Sequence, residues 1–234
     1  MNPPLICLAH RGASGHAPEN TLAAFRKAVD LGTDWIELDV YAVSGEVVVI
    51  HDKRLERTTN GTGRVTRRRL AYLQTLDAGQ GEKIPFLSQV LDTMDRRINV
   101  NIELKGRRTV RPVLKLLERY VQDHGWRYDQ FLLSSFNHNR VRAARFVCRQ
   151  IAVAPNLSEN FRRPERILDR AAAFYSIHLA VALASPGLID AIHQQGCRVF
   201  VFTADRMETI CRLRDMGVDG IFTNYPERVI QCRE

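Results

Sequence analysis

Short runs rich in β-branched and aromatic residues alternate with stretches of helical period along the whole chain, and this alternation restricts the fold more than any other feature. It is the pattern of a parallel sheet, because neighbouring strands can point the same way only if a crossover, usually a helix, separates them. The candidate strands are residues 5–9, 35–40, 46–50, 98–104, 130–134, 150–154, 174–178, 198–202 and 219–223. A closed parallel barrel takes about eight, so one run lies outside it, and 46–50 is that run. It follows 35–43 across Ser44-Gly45 alone, a hairpin signal far too short for a parallel crossover. Pairing Val43 with Glu46 places Asp39 opposite Ile50 and Leu38 opposite His51. The hairpin thereby returns His51 to the level of Glu37 and Asp39.

The fold expected is α/β, a (β/α)8 TIM barrel, with a small inserted segment after the second strand. At 234 residues one domain, 1–234, is expected. Hydrophobic residues make up 45% and charged residues 26%, enough apolar surface for a sizeable core and too much for disorder. Leu22, Phe25 and Val29 mark a first helix, with Asn20 or Thr21 to cap it and Gly32 to end it. Val113, Leu114, Leu116, Leu117 and Val121 form the apolar face of another. Residues 53–82 are polar and rich in Arg, Thr and Gly, and read as an excursion from the barrel.

Met1-Asn2-Pro3-Pro4 precedes an apolar run too short for a signal peptide or a membrane span, so a cytoplasmic location without stable membrane association is expected. Cys7, Cys148, Cys197, Cys211 and Cys232 are odd in number, scattered and without a C-x-x-C pair, and read as free thiols. A net charge of +8 fits nucleic acid, an anionic surface or a phosphate-bearing substrate. The excess is Arg dispersed over helical segments, denser only at Arg64, Arg67, Arg68 and Arg69. It lacks aromatic interleaving and any zinc-finger, HTH or RRM signature, which argues against a nucleic-acid partner. Oligomeric state leaves no mark in the sequence.

Two strands alternate strictly. In 35–40, Glu37 and Asp39 face opposite to Ile36, Leu38 and Val40; in 98–105, Asn99, Asn101, Glu103 and Lys105 face opposite to Ile98, Val100, Ile102 and Leu104. In a barrel the apolar faces meet the helices, so the carboxylates point inward near the C-terminal strand ends, where barrel active sites lie. Three converging carboxylates need a cation or protons. Oxygen ligands alone favour Mg²⁺ or Ca²⁺ over zinc. His10 and Arg11 directly follow the first strand, and with His51 they complete a set able to take one proton, give another and hold a phosphate. Three carboxylates, a divalent ion, Arg11, Lys105 and a monoanionic phosphodiester sum to zero charge. Lys105 also has the alternative of pairing with Glu103 as a plain salt bridge. His178, ending a later strand, is a further candidate for the pocket wall.

Taken in order, His10-Arg11-Gly12, Pro18-Glu19-Asn20-Thr21, Glu37-Leu38-Asp39-Val40, His51-Asp52, the segment 57–63, Asn101-Ile102-Glu103-Leu104-Lys105, Ser134-Ser135-Phe136 and the segment 217–226 resemble the glycerophosphodiester phosphodiesterase family, its small cytoplasmic type, over nearly the whole chain. The resemblance implies hydrolysis of glycerophosphocholine, glycerophosphoethanolamine and similar small molecules to sn-glycerol 3-phosphate and an alcohol. It implies that Glu37, Asp39 and Glu103 hold Mg²⁺ or Ca²⁺, that His10 and His51 are the acid and base, and that Arg11 and Lys105 contact phosphate. It further implies that Glu19 and Asn20 shape the pocket, although Asn20 also suits a helix cap. The chain departs from the family pattern at the hairpin tip 43–46, at Phe202, where Trp is frequent, and at Asn224, where Asp is frequent; the alcohol-side pocket is where these differences fall. Rival readings are a lysophospholipase D or a cyclising lyase acting on lipid diesters, and a non-catalytic phosphate-binding module.

Overall fold

The structure is a computed structural model and describes residues 4–233. Met1, Asn2 and Pro3, on which the N-terminal reading begins, lie outside the described residues. Among the described residues nine strands form one sheet: β1 (Ile6–Ala9), β2 (Trp35–Val43), β3 (Glu46–Val49), β4 (Asn99–Leu104), β5 (Phe131–Ser135), β6 (Ala152–Leu157), β7 (Ser176–Ala180), β8 (Arg198–Phe202) and β9 (Gly220–Thr223). Their order is β1-β9-β8-β7-β6-β5-β4-β2, and a parallel β1 to β2 pairing closes the ring. Among the strands of the described residues β3 pairs only with β2, antiparallel, with Val43 opposite Glu46 and Val40 opposite Val49. The expected barrel with one extra strand is therefore present, in the expected hairpin register.

Helices α1 (Leu22–Asp30), α2 (Leu70–Thr75), α3 (Leu87–Met94), α4 (Val110–Asp123), α5 (His138–Val147), α6 (Pro186–Gln194), α7 (Met207–Asp215) and α8 (Pro226–Arg233) follow. The crossover from β6 to β7 is made by 3-10 turns at Pro164–Ala173. Where helices cover the barrel, apolar spacing explains them. Leu87, Val90, Leu91 and Met94 of α3 are fully buried at i, i+3, i+4 and i+7. Thr21 caps α1, its hydroxyl accepting from the Ala24 N–H. Asn20 is not the cap, because its side chain turns inward to Asp39.

Leu8, Trp35, Leu132, Ala154, Phe200 and Phe222 pack inside the barrel and fill its lower part, leaving room only toward the C-terminal strand ends. Expected strand 150–154 sits two residues late, at Ala152–Leu157, a slip that matters because it brings Asn156 into the sheet. Residues 53–82 leave the barrel after β3. They are less polar within than their composition suggests, for Leu55, Val65, Leu73 and Leu76 bury themselves against Tyr41, Val48 and Ile50 of the hairpin. No helix among the described residues is long and apolar enough to cross a membrane.

Candidate active site

Sheet register brings the acids together. Parallel pairing of β2 with β4 sets Asp39 beside Glu103 and Glu37 beside Asn101. All three carboxylates are buried, and each offers an oxygen within 4.8 Å of the others. Two cations meet them. Lys105 Nζ lies 2.7 Å from Glu103 and 3.2 Å from Asp39; Arg11 donates its backbone N–H to Glu37 at 2.9 Å and brings Nε to 3.4 Å from Asp39. Lys105 thus does pair with Glu103, while still bordering the pocket. Asn20 grips Asp39 from behind: its amide donates to a carboxylate oxygen at 2.9 Å and its carbonyl accepts the Asp39 N–H at 3.2 Å.

The backbone is strained where these groups are aimed. Arg11 and Asn20 both have left-handed φ, 56° and 59°, a conformation costing a residue other than glycine on the order of 1 kcal/mol. Between them Gly12, with φ 79°, lets the chain turn against α1, where a Cβ would lie 2.6 Å from the Ala24 carbonyl carbon. The hydrogen bonds of Arg11 and Asn20 to the acids hold this turn in place.

Two cations do not fully compensate the cluster. Burial, reinforced by Asp39 and Glu103, pushes the Glu37 carboxyl well above the usual range, and burial carries Glu103 up to about 7. Burial also opposes ionisation of Asp39, but Lys105, His51 and Arg11 outweigh it and hold that carboxyl low. Buried, oxygen-only and short of positive charge, the trio fits a hard divalent cation. Asn101 adds a buried side-chain oxygen without a hydrogen-bond partner.

Both expected histidines border one cavity of about 150 Å³, together with Arg11, Glu37, Glu103, Lys105, His178 and Phe202. They are supported differently. His10 Nδ1 bonds the Asn224 carbonyl oxygen at 2.8 Å, so the departure at Asn224 falls on this histidine and not on the alcohol side where it was expected, and Asn224 in turn donates to Asp205 at 2.7 Å. Burial, then the neighbouring Arg11, lowers His10 to about 4. His51 Nδ1 instead meets the Asp52 carboxylate at 2.6 Å. Burial lowers His51 as well, while Asp39 and Asp52 favour its protonated form. Arg57 clamps Asp52 at 2.5 Å and Glu19 at 2.7 Å, which holds Asp52 down to about 2. Glu19 itself stands outside the cavity and joins it through Arg11 and Arg57.

His178 is fully enclosed, bonded to Ser176 and stacked on Phe200 at 5.4 Å, and burial takes it to about 3; it is a neutral wall of the cavity. Phe136, Phe202 and Phe222 make an apolar side. Sequence pattern assigns no role to Asn101, Asn156, Thr203 or the supporting pair Asp52 and Arg57. Asn101 was visible on the polar face of its strand; Asn156 was hidden by the misplaced strand end, and Arg57 reaches the site only by tertiary contact.

A family model described as the glycerophosphoryl diester phosphodiesterase family matches residues 10–228. The chain belongs to that family. Its members are phosphoric diester hydrolases, so the chain is an enzyme of that class. It is 37% identical to YhdW of Bacillus subtilis over 97% of both chains. It is 35% identical to the glycerophosphodiester phosphodiesterase of Caldanaerobacter subterraneus subsp. tengcongensis over 96% of both. Among solved structures, a phosphodiesterase of Oleispira antarctica in complex with the product sn-glycerol-3-phosphate superposes with a TM-score of 0.85 at 29% identity, covering 98% of this chain and 96% of that one.

Proposed function

We propose that this enzyme hydrolyses water-soluble glycerophosphodiesters, such as glycerophosphocholine and glycerophosphoethanolamine, to sn-glycerol 3-phosphate and a free alcohol. In this reading 1–234 is one domain with 53–82 as an insertion, working in the cytoplasm without a nucleic-acid partner. The reading is carried by one observation: three buried acids converge within 4.8 Å of one another beside a cavity bordered by His10 and His51 and by two cationic side chains. Product-bound phosphodiesterase of Oleispira antarctica has the same fold.

Glu37, Asp39 and Glu103 would hold Mg²⁺ or Ca²⁺, which when bound supplies Lewis-acid polarisation of a phosphoryl oxygen. Arg11 and Lys105 face the same space and offset the charge that gathers on the phosphoryl oxygens. Near neutral pH His10 is a neutral ring: with Nδ1–H donated to Asn224, its Nε2 lone pair is open to a proton. Asp52 is ionised and stabilises positive charge on His51 whenever that ring becomes an imidazolium. Asp52 is kept in place by Arg57, and Arg57 by Glu19. The three phenylalanines exclude water from the alcohol side of the cavity.

The test incubates purified protein with glycerophosphocholine and glycerophosphoethanolamine and measures glycerol 3-phosphate, with EDTA and after adding back Mg²⁺ or Ca²⁺. Release is expected to stop with chelation and return with metal; release indifferent to EDTA refutes the metal assignment. His10→Ala and His51→Ala should both lose activity on these substrates. With a nitrophenyl leaving group, which departs without a proton, the variant lacking the acid should recover. Equal inactivity of both variants on that substrate contradicts a division of acid and base between them.

A further inference from the structure

We infer that the active site continues into a second, anion-binding subsite that takes glycerophosphodiesters whose alcohol portion carries a further phosphate. The inference rests on the reading of the catalytic cavity given above and names a substrate class for it. That cavity holds about 150 Å³, below the roughly 300–1,000 Å³ of pockets that enclose larger ligands, so part of a larger diester must lie outside it. Next to it, with Lys105 as a common wall, is a groove of about 740 Å³ on the same C-terminal face of the barrel. Lys53, Arg64, Arg107, Arg108 and Arg140 line this groove together with Lys105, and no carboxylate does.

Five of these six cations are unneutralised. Lys105 is engaged by Glu103 and Asp39, but among the described residues none of the other five forms an ion pair. They come from three separate parts of the chain: the insertion, the loop leaving β4 and the start of α5. Arg54, Arg96, Arg127 and Arg214 each sit beside an acid, whereas no carboxylate lines the groove. The loop from β4 is also held tightly: a Cβ on Gly106 would lie 2.8 Å from the Tyr41 ring, and Arg108 has a left-handed φ of 63°. Guanidinium groups gathered without counterions at the mouth of a phosphodiester site suit a phosphate, which each can bind with paired N–H donors. A cationic alcohol such as choline gains nothing from this groove.

The test compares glycerophosphoglycerol with the same compound bearing a terminal phosphate monoester, two substrates with identical scissile bonds. The wild-type enzyme is expected to show a kcat/KM at least about tenfold higher for the phosphorylated compound, a preference that shrinks with added salt. Arg107→Gln with Arg108→Gln, and separately Arg64→Gln, should erase most of that preference while leaving glycerophosphoglycerol turnover within about twofold. Calorimetric binding of the same two compounds in EDTA gives a readout independent of turnover. If neither compound is cleaved yet the phosphorylated one binds more tightly and loses that advantage in the variants, the proposed activity fails and the subsite stands. If both are cleaved with equal efficiency, or the variants leave the preference intact, the subsite is refuted.

Discussion

Exchanging the residues at positions 205 and 224 should raise the proton affinity of His10 without breaking its hydrogen bond. At present His10 donates to a neutral amide: Asn224 accepts from Nδ1 at 2.8 Å, and the nearby charge belongs to Asp205, one step further away. Burial lowers the ring from its ordinary 6.5 to about 4, a drop of roughly 2.5 pH units, or about 3 kcal/mol at 1.36 kcal/mol per unit. Because His10 keeps an edge on the cavity, that energy is a ceiling. In the double variant Asn224→Asp with Asp205→Asn the total charge is unchanged and the network survives. The new amide at 205 can still accept from Thr223 Oγ1 and the backbone N–H of residue 224, as Asp205 does now at 3.1 and 2.8 Å. Its NH₂ then donates to the carboxylate introduced at 224, which touches His10 directly. A carboxylate in that position favours an imidazolium by roughly 1–3 pH units, which moves His10 to between about 5 and 7. Imidazole NMR titration, with the resonance assigned by its loss in His10→Gln, measures this, and the acid limb of kcat/KM should move the same way. His10 binds fewer protons folded than unfolded, so its contribution to stability is complete above 6.5 and is lost as pH falls toward 4; the exchange should flatten that loss. A wild-type His10 titrating at 6.5 or above, or an exchange that leaves it where it was, refutes the argument.

Glu103 is raised from 4.5 to about 7, so in EDTA it contributes stability below 4.5 that disappears as pH rises through 7, up to about 3 kcal/mol. The melting temperature of metal-free wild type should therefore drop between pH 5 and 8 relative to Glu103→Gln, and Mg²⁺ or Ca²⁺ should restore it; parallel curves for the two proteins would contradict the cluster's electrostatics. Arg57→Ala and Asp52→Asn should each reduce kcat by about 10–100-fold with little change in melting temperature. Combining them should cost scarcely more than either alone, because both act on His51 along one chain of contacts, and a multiplicative loss in steady-state kinetics would disprove that. Leu91→Ala, at a fully buried position of α3, should lower unfolding free energy by about 2–5 kcal/mol in urea titrations.

The order of elements, the parallel sheet with one antiparallel addition, and the placing of Glu37, Asp39 and Glu103 on inward faces were legible because they depend on local periodicity. A strand that alternates every residue declares which side is polar, and a two-residue turn fixes register with no reference to the rest of the chain. His51 could be set level with the acids for the same reason. Strand ends were less legible: Asn156 follows Pro155 in a run whose pattern fades, and β6 extends there because β7 pairs with it, Asn156 opposite His178. The segment 53–82 looked merely polar because its few apolar residues are scattered in sequence and meet only when folded against Tyr41 and the hairpin. Only tertiary structure decided that Asn20 serves Asp39 and Thr21 the helix, that Glu19 works through Arg57, and that cations from the insertion, the loop after β4 and α5 share one groove. Periodicity is written along the chain, whereas these contacts join residues far apart in sequence, and closing the barrel is what brings them within reach.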